Sequence, residues 1–205
     1  LGIGTIDLVA VNLYPFADTI AREGVTLDDA LENIDIGGPT MIRAAAKNFP
    51  AVAVVVDPGD YDWLSEVVGT ETLDISQRMV LAQKAFQHVA LYDTIISEYL
   101  LGESGEIGQE LTLGYKKIYD LRYGENPHQS ASFYSLHKKD GIAGAKQLHG
   151  KELSYNNILD ADAAWRSVSD FDESAVAIIK HTNPCGLAVH ENQSEGYQKA
   201  FLGDP

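Results

Sequence analysis

Two short runs of adjacent apolar residues, 6–11 (IDLVAV) and 51–56 (AVAVVV), constrain the fold more than any other feature of this chain. A strand with one wet face alternates polar and apolar side chains. A run rich in β-branched residues and lacking that alternation suits a strand covered on both faces, as in a parallel sheet. Between the two runs, residues 27–34 and 40–48 carry helical spacing. Strand, helix, strand in that order predicts an open α/β sheet.

Asp57-Pro58-Gly59-Asp60 predicts a turn, followed by a helix over 61–68. Residues 76–101 lack Pro and Gly and repeat apolar side chains at helical spacing, which predicts one long helix or two, ending at Gly102. Residues 103–110 are rich in Gly, Glu and Ser and predict a linker. Beyond it come a weakly alternating strand at 130–135, a helix over 157–171 and a buried-type strand at 175–179 broken by Asn183-Pro184. A helical segment over 195–202 follows. The expectation is two α/β domains, the second cut short, in a piece of a longer protein.

The net charge of −15 argues against a broad nucleic-acid surface, because such surfaces need clustered Lys and Arg. No run of about 18 apolar residues predicts a membrane span, and no secretory leader is visible. Cys185 is the only cysteine, which excludes an internal disulfide and fits a reducing cytoplasm. An acidic chain can still bind a small anion through a few placed cations, so each cation beside a polar loop matters.

Four constellations carry possible chemistry. Asn12-Leu13-Tyr14-Pro15 follows the first run, where open α/β sheets bind ligands; Asn12 and Tyr14 supply donors and acceptors. The same residues also suit a plain polar strand end with Pro15 opening a loop. Asp35-Ile36-Gly37-Gly38-Pro39-Thr40 precedes a helix: the glycines permit close backbone approach, and a helix start offers free N–H groups to an anion. Thr40, Arg43 and Lys47 share one face of that helix, and a pair formed by Asp35 and Lys47 across a small site is expected. A glycine turn with a solvated basic stripe is the competing reading.

Arg122-Tyr123-Gly124-Glu125-Asn126-Pro127-His128-Gln129 has no apolar period. Arg pairs with phosphate or carboxylate, Tyr stacks on a flat ring and His exchanges protons; a polar interdomain loop would look the same. In Lys180-His181-Thr182-Asn183-Pro184-Cys185-Gly186, neighbouring strand residues point to opposite faces. Lys180 and His181 therefore serve one site only if the backbone turns, and Asn183-Pro184 is expected to supply the turn. A histidine then accepts a proton from a weak amine while an ammonium stabilises negative charge. The simpler reading is a capped strand end. A zinc deaminase needs H-x-E with P-C-x-x-C, which this motif lacks, so no metal is expected; Cys185 as a nucleophile stays open. Ser154-Tyr155-Asn156-Asn157, ahead of Asp160, is expected to cap a helix.

Taken together, VNLYPF, NIDIGGPTMIRAAAKN, LRYGENPHQ, LSYNNILDADAAW and IKHTNPCG resemble the AICAR transformylase/IMP cyclohydrolase family. The resemblance covers essentially the whole chain. It implies that residues 1–112 are the later part of a cyclohydrolase domain with a methylglyoxal-synthase-like parallel sheet and its linker. Residues 113–205 would begin a transformylase domain resembling the α/β fold of cytidine deaminases, without zinc. By resemblance, Asn12, Tyr14, Asp35, Gly37, Gly38 and Lys47 surround a nucleotide during ring closure, with Tyr14, Asp35 and Lys47 catalytic. Arg122, Tyr123, His128 and Asn157 contact substrate in the second half, while Lys180 and His181 carry formyl transfer.

The resemblance further implies AICAR, FAICAR and IMP as small-molecule partners and 10-formyltetrahydrofolate as co-substrate, in a cytoplasmic homodimer with no nucleic-acid or membrane partner. The family's upstream phosphate loops and its downstream catalytic asparagine are missing from these residues, so the chain alone is expected to be inactive. A non-catalytic nucleotide-binding module, or an assembly piece using the long helix, is the alternative.

Overall fold

Strand β1 (Leu8–Ala10) runs parallel to β2 (Ala53–Val55), with Leu8 opposite Ala53, Val9 opposite Val54 and Ala10 opposite Val55. They belong to a computed structural model that describes residues 2, 4–68, 73–105, 107–136 and 140–204. The chain divides into two units, Leu1–Gly114 and Tyr115–Pro205.

In the first unit, β1 leads into α1 (Phe16–Ile20), α2 (Leu27–Glu32) and α3 (Gly37–Lys47); after β2 come α4 (Tyr61–Val68) and α5 (Ile75–Ser104). The unbroken apolar run of β2 is explained by what covers it. Val52, Val54 and Val56 pack with Ile42, Ala45 and Ala46 of α3 and with Ala82, Ala85 and Val89 of α5. Ala53 and Val55 pack on the other side with Leu64 and Leu81. The alanines of α3 let helix and sheet approach closely, and burial of such surfaces is the main stabilising term. β1 departs from the expectation of two covered faces: Leu8 is 40% exposed. Its side chains alternate between half-buried and exposed, so only β2 is the buried kind of strand.

α5 is one helix rather than two. A capping box between Asp74 and Gln77 satisfies the first N–H groups, and Gly105, at φ 67°, ends the helix in the left-handed conformation. Gly102 is therefore internal, and the expected linker begins later; residue 106 within it lies outside the described residues. Phe16 packs edge-on against Tyr92 and Tyr99 of α5, with centroids 6.3 and 5.8 Å away, which fixes the segment after β1.

The second unit contains β3 (Lys116–Leu121), β4 (Ala131–Ser135), α6 (Tyr155–Ser169), β5 (Ala175–Lys180), β6 (Asn183–Val189) and α7 (Gln193–Phe201). Its strands form two antiparallel pairs, β3 with β4 and β5 with β6. β5 is half-buried rather than enclosed. α7 lies so close to β6 that a Cβ at Gly186 would collide with the backbone carbonyl of Ala200.

Candidate functional sites at strand ends

In the first unit, the polar groups collect where β1 and β2 end. Asn12 Oδ1 accepts a hydrogen bond from the Tyr61 hydroxyl at 3.3 Å. Tyr14 is 56% exposed at the same edge. The Asp35 N–H donates to the Tyr92 hydroxyl at 2.9 Å, and Asp35 Oδ1 accepts from the Gly38 N–H at 2.7 Å. Two glycines thus do different things. Gly37 faces open space, whereas a Cβ on Gly38 would lie 2.6 Å from both Asp35 Oδ2 and Leu13 Cδ2. Gly38 is needed for packing against protein. The N–H expected to be offered to an anion is already held by a carboxylate.

The expected Asp35–Lys47 pair does not form. Lys47 ends α3 and Asp35 precedes its start, so at 1.5 Å per residue their backbones stand about 18 Å apart. That exceeds the combined reach of the two side chains. Arg43, on the same helix face as Lys47, stands over the Phe86 ring at 5.8 Å instead of facing a ligand. An apolar cleft of about 600 Å³ lies at the Lys47 end, lined by Thr5, Ile6, Met41, Ala44, Asn48 and Val52. Most of its lining is apolar, with Thr5, Asp7 and Asn48 as the polar residues.

Sequence reasoning missed Lys84. Its ammonium bonds Asp60 Oδ2 at 2.6 Å and Asp57 Oδ2 at 3.4 Å, tying α5 to the end of β2. Burial pulls the ammonium toward neutrality, but the carboxylates of Asp60 and Asp57 outweigh it and raise its pKa. Local spacing could not reveal this, because Lys84 meets groups 24 and 27 residues away.

In the second unit, the loop after β3 is closed on itself and tied to α6. Gly124 N–H donates to the Gln129 carbonyl at 2.9 Å, Arg122 N–H to the Leu153 carbonyl at 2.9 Å, and Tyr155 N–H to the Tyr123 carbonyl at 3.1 Å. The Arg122 guanidinium lies 4.8 Å from the Tyr123 ring centroid and donates to its hydroxyl at 3.2 Å. His128 is exposed on this loop. Ser154 caps α6, and Asn157 returns the favour by accepting from the Ser154 N–H at 3.0 Å. The capping role expected for this segment is therefore shared, with Asn157 completing the box.

The turn beside Lys180 differs from the expectation. Asn183 and Pro184 lie within β6, Lys180 pairs with Asn183, and Pro184 sits at a register shift opposite Ile179. The chain reverses at His181 and Thr182, with φ of 52° and 64°. Positive φ at both central residues is the signature of a type I′ turn, whose twist matches a hairpin. Pro184 is tolerated because the irregular pairing spares it an N–H. Exposed Lys180 and His181 stand at the hairpin tip, and the Thr182 N–H donates to Asp160 Oδ1 at 2.8 Å. α6 thus connects the Arg122–Tyr123 loop, held at residue 155, to the His181 turn, held at residue 160. Cys185 is half-buried in β6, and its thiol donates to the Ile178 carbonyl at 3.4 Å, a packing role. Among the described residues, no group of three or more His, Cys, Asp or Glu side chains could hold a metal ion.

The chain is a mixed α/β protein, and its polar motifs gather at strand ends, where open α/β sheets bind ligands. The chain belongs to the AICARFT/IMPCHase bienzyme family, whose sequence profile matches residues 45–205. It is 54% identical over 208 residues to the bifunctional purine biosynthesis protein PurH of Listeria monocytogenes serotype 4b (strain CLIP80459), covering 98% of this chain and 40% of that protein. It is 54% identical over 209 residues to PurH of Bacillus cereus (strain B4264), covering 100% of this chain and 41% of that one. PurH of Acetivibrio thermocellus is 52% identical over 213 residues, again covering 100% and 41%. The chain therefore spans about 40% of the length of the curated relatives it matches.

Proposed function

We propose that the full protein carrying this chain transfers the formyl group of 10-formyltetrahydrofolate to AICAR, giving FAICAR, and then closes FAICAR to IMP with loss of water. The observation that supports this reading most is the identity of about half of all residues to proteins named as bifunctional purine biosynthesis enzymes. In this reading residues 1–112 belong to a methylglyoxal-synthase-like cyclohydrolase domain. Residues 113–205 begin a cytidine-deaminase-like transformylase domain. The division into units at Gly114 and Tyr115 supports that assignment.

In the transfer step, the 5-amino nitrogen of AICAR attacks the formyl carbon. His181 takes the amine proton, and Lys180 stabilises the negative charge that builds on the formyl oxygen. Collapse breaks the bond from carbon to N10, which leaves with a proton as tetrahydrofolate. Arg122 and Tyr123 present charge and a ring for the phosphate and base, and His128 and Asn157 complete the contacts. In ring closure, the carboxamide nitrogen of FAICAR attacks its formyl carbon and water departs. Asn12, Tyr14, Asp35 and Gly37 line that site. Lys47 would meet a nucleotide only at the opposite end of α3.

His181→Ala and Asp35→Ala in the full-length protein test the assignment separately. The first is expected to abolish formyl transfer while supplied FAICAR is still cyclised, and the second to do the reverse. Retention of both activities in both variants overturns the reading. We place the protein in the cytoplasm as a homodimer. Exposed Met79, Val80, Phe86 and Leu100 on α5 supply apolar surface for self-association, and no helix among the described residues is long and apolar enough to cross a membrane. A monomeric mass by light scattering counts against the dimer.

A further inference from the structure

The turn that carries His181 is built from the wrong residues for its shape. A two-residue loop with positive φ at both positions ordinarily holds Asn-Gly or Asp-Gly, because a Cβ is disfavoured there. Here it holds His181 at 52° and Thr182 at 64°. Thr is β-branched, so its left-handed conformation is a true outlier that the surroundings must impose.

Three hydrogen bonds that use a side chain involve the turn. Two are local to the hairpin: Thr182 Oγ1 and Asn183 Nδ2 both donate to the His181 carbonyl, at 2.6 and 2.8 Å. They satisfy that carbonyl without tying the turn to anything else. The third comes from outside the hairpin, where the Thr182 N–H donates to Asp160 Oδ1 at 2.8 Å, 22 residues away. Asp160 stands on a secured platform. The start of α6 is closed by its capping box and stitched to the Arg122 loop through Tyr155 N–H and through Asn156 Nδ2, which donates to the Glu125 carbonyl at 3.2 Å.

We propose that Asp160 is a positioning residue: its carboxylate holds the His181–Thr182 turn in the left-handed conformation and so fixes where the His181 imidazole stands for proton transfer. The proposal rests on the role given to His181 above. It assigns Asp160 no contact with substrate. A carboxylate suits the task because a charged acceptor makes the stronger hydrogen bond to a backbone N–H.

The test uses the full-length protein that carries this chain. Asp160→Ala is expected to lower kcat for formyl transfer about 100-fold, the scale of a roughly 1 Å misplacement of a reacting group, and to leave KM for AICAR within about threefold. Hydrogen exchange at the Thr182 amide should accelerate in the same variant. Asp160→Asn keeps an oxygen acceptor in place and should recover kcat to within about fivefold of the parent. Adding Thr182→Gly to Asp160→Ala should restore about tenfold, since glycine takes positive φ without a tether; a merely structural role for Asp160 predicts no such rescue.

If Asp160→Ala does not fold, the Asn variant and the glycine double variant still decide the matter. Asp160 is overturned as a positioning residue if kcat for Asp160→Ala stays within about twofold of the parent while His181→Ala is inactive. It is equally overturned if neither Asn nor the added glycine recovers activity. Full formyl transfer by His181→Ala would instead defeat the underlying reading of the site.

Discussion

The backbone N–H of Asp35 donates to the Tyr92 hydroxyl at 2.9 Å across 57 residues of sequence, and the same hydroxyl donates to the Asn33 carbonyl at 3.2 Å. One phenol from the long helix thus satisfies two backbone groups at the entrance to α3. Tyr92→Phe leaves both without that partner and is expected to cost about 1–3 kcal/mol, read as a lower urea midpoint. The variant should also loosen the Asp35 loop. An unchanged midpoint would mean that water replaces the phenol at no cost.

The same phenol gives a pH signature. Burial, with the Asp35 carboxylate adding to it, raises the Tyr92 pKa above the ordinary tyrosine value, against the smaller opposing effect of the Asp35 N–H. A folded-state pKa raised above the unfolded one means a contribution fully present below about pH 10 and lost as pH climbs through the folded value. The thermal stability of the parent should fall above that pH, and Tyr92→Phe should lose this part of the dependence. Parallel curves for the two proteins would contradict it.

Gly38 leaves no room for a methyl group, since its Cβ would fall 2.6 Å from Asp35 Oδ2 and from Leu13 Cδ2. Gly38→Ala must push Asp35 away or displace Leu13, at about 1–3 kcal/mol, the usual cost of overpacking. Asp35 is one of the residues we propose for ring closure, so in the full-length protein cyclisation of FAICAR should fall more than formyl transfer. Gly37→Ala, at a position facing open space, should be far milder. Equal losses in the two variants would sink the distinction.

Lys84→Met removes the cation shared by Asp57 and Asp60. The Lys84 side chain is 38% exposed, so the expected cost is modest, about 1 kcal/mol, and smaller at high salt. Its raised pKa places the contribution below the unfolded lysine value and removes it as pH rises through the folded one. The comparison of melting temperatures at low and high salt, below pH 9 or so, checks it; a larger deficit at high salt would count against the pairing.

Gly186→Ala drives a methyl group into the backbone carbonyl of Ala200. Backbone cannot rotate aside as a side chain does, so α7 must shift off the β5–β6 hairpin. A loss of about 2–3 kcal/mol is expected, measured by chemical unfolding. A variant as stable as the parent would show that α7 is not seated as described.

Much of the architecture was legible because it depends on neighbours in sequence. The run AVAVVV holds the enclosed strand Ala53–Val55, and the helical spacing of 40–48 became the helix that covers it, since periodicity directly reports which faces are apolar. The parallel pairing of β1 and β2 follows from the helix between them. The turn at His181 was not legible. Asn-Pro carries the stronger local turn propensity, and it lost to a hairpin register whose bend is anchored by Asp160, 22 residues earlier. The supposed Asp35–Lys47 pair failed for a related reason: sharing a helix face says nothing about lying at the same end of the helix.

By itself, then, the sequence determined every helix but the short α1, the buried strand and the set of polar motifs, because propensity, capping and hydrophobic period act over a few residues. Only the tertiary structure decided which of those motifs share a neighbourhood. It set Tyr92 against Asp35, Lys84 between Asp57 and Asp60, and Asp160 beneath Thr182. Each contact joins residues at least 22 positions apart. Such contacts form only after apolar packing has fixed where each backbone runs, and no local pattern encodes that outcome.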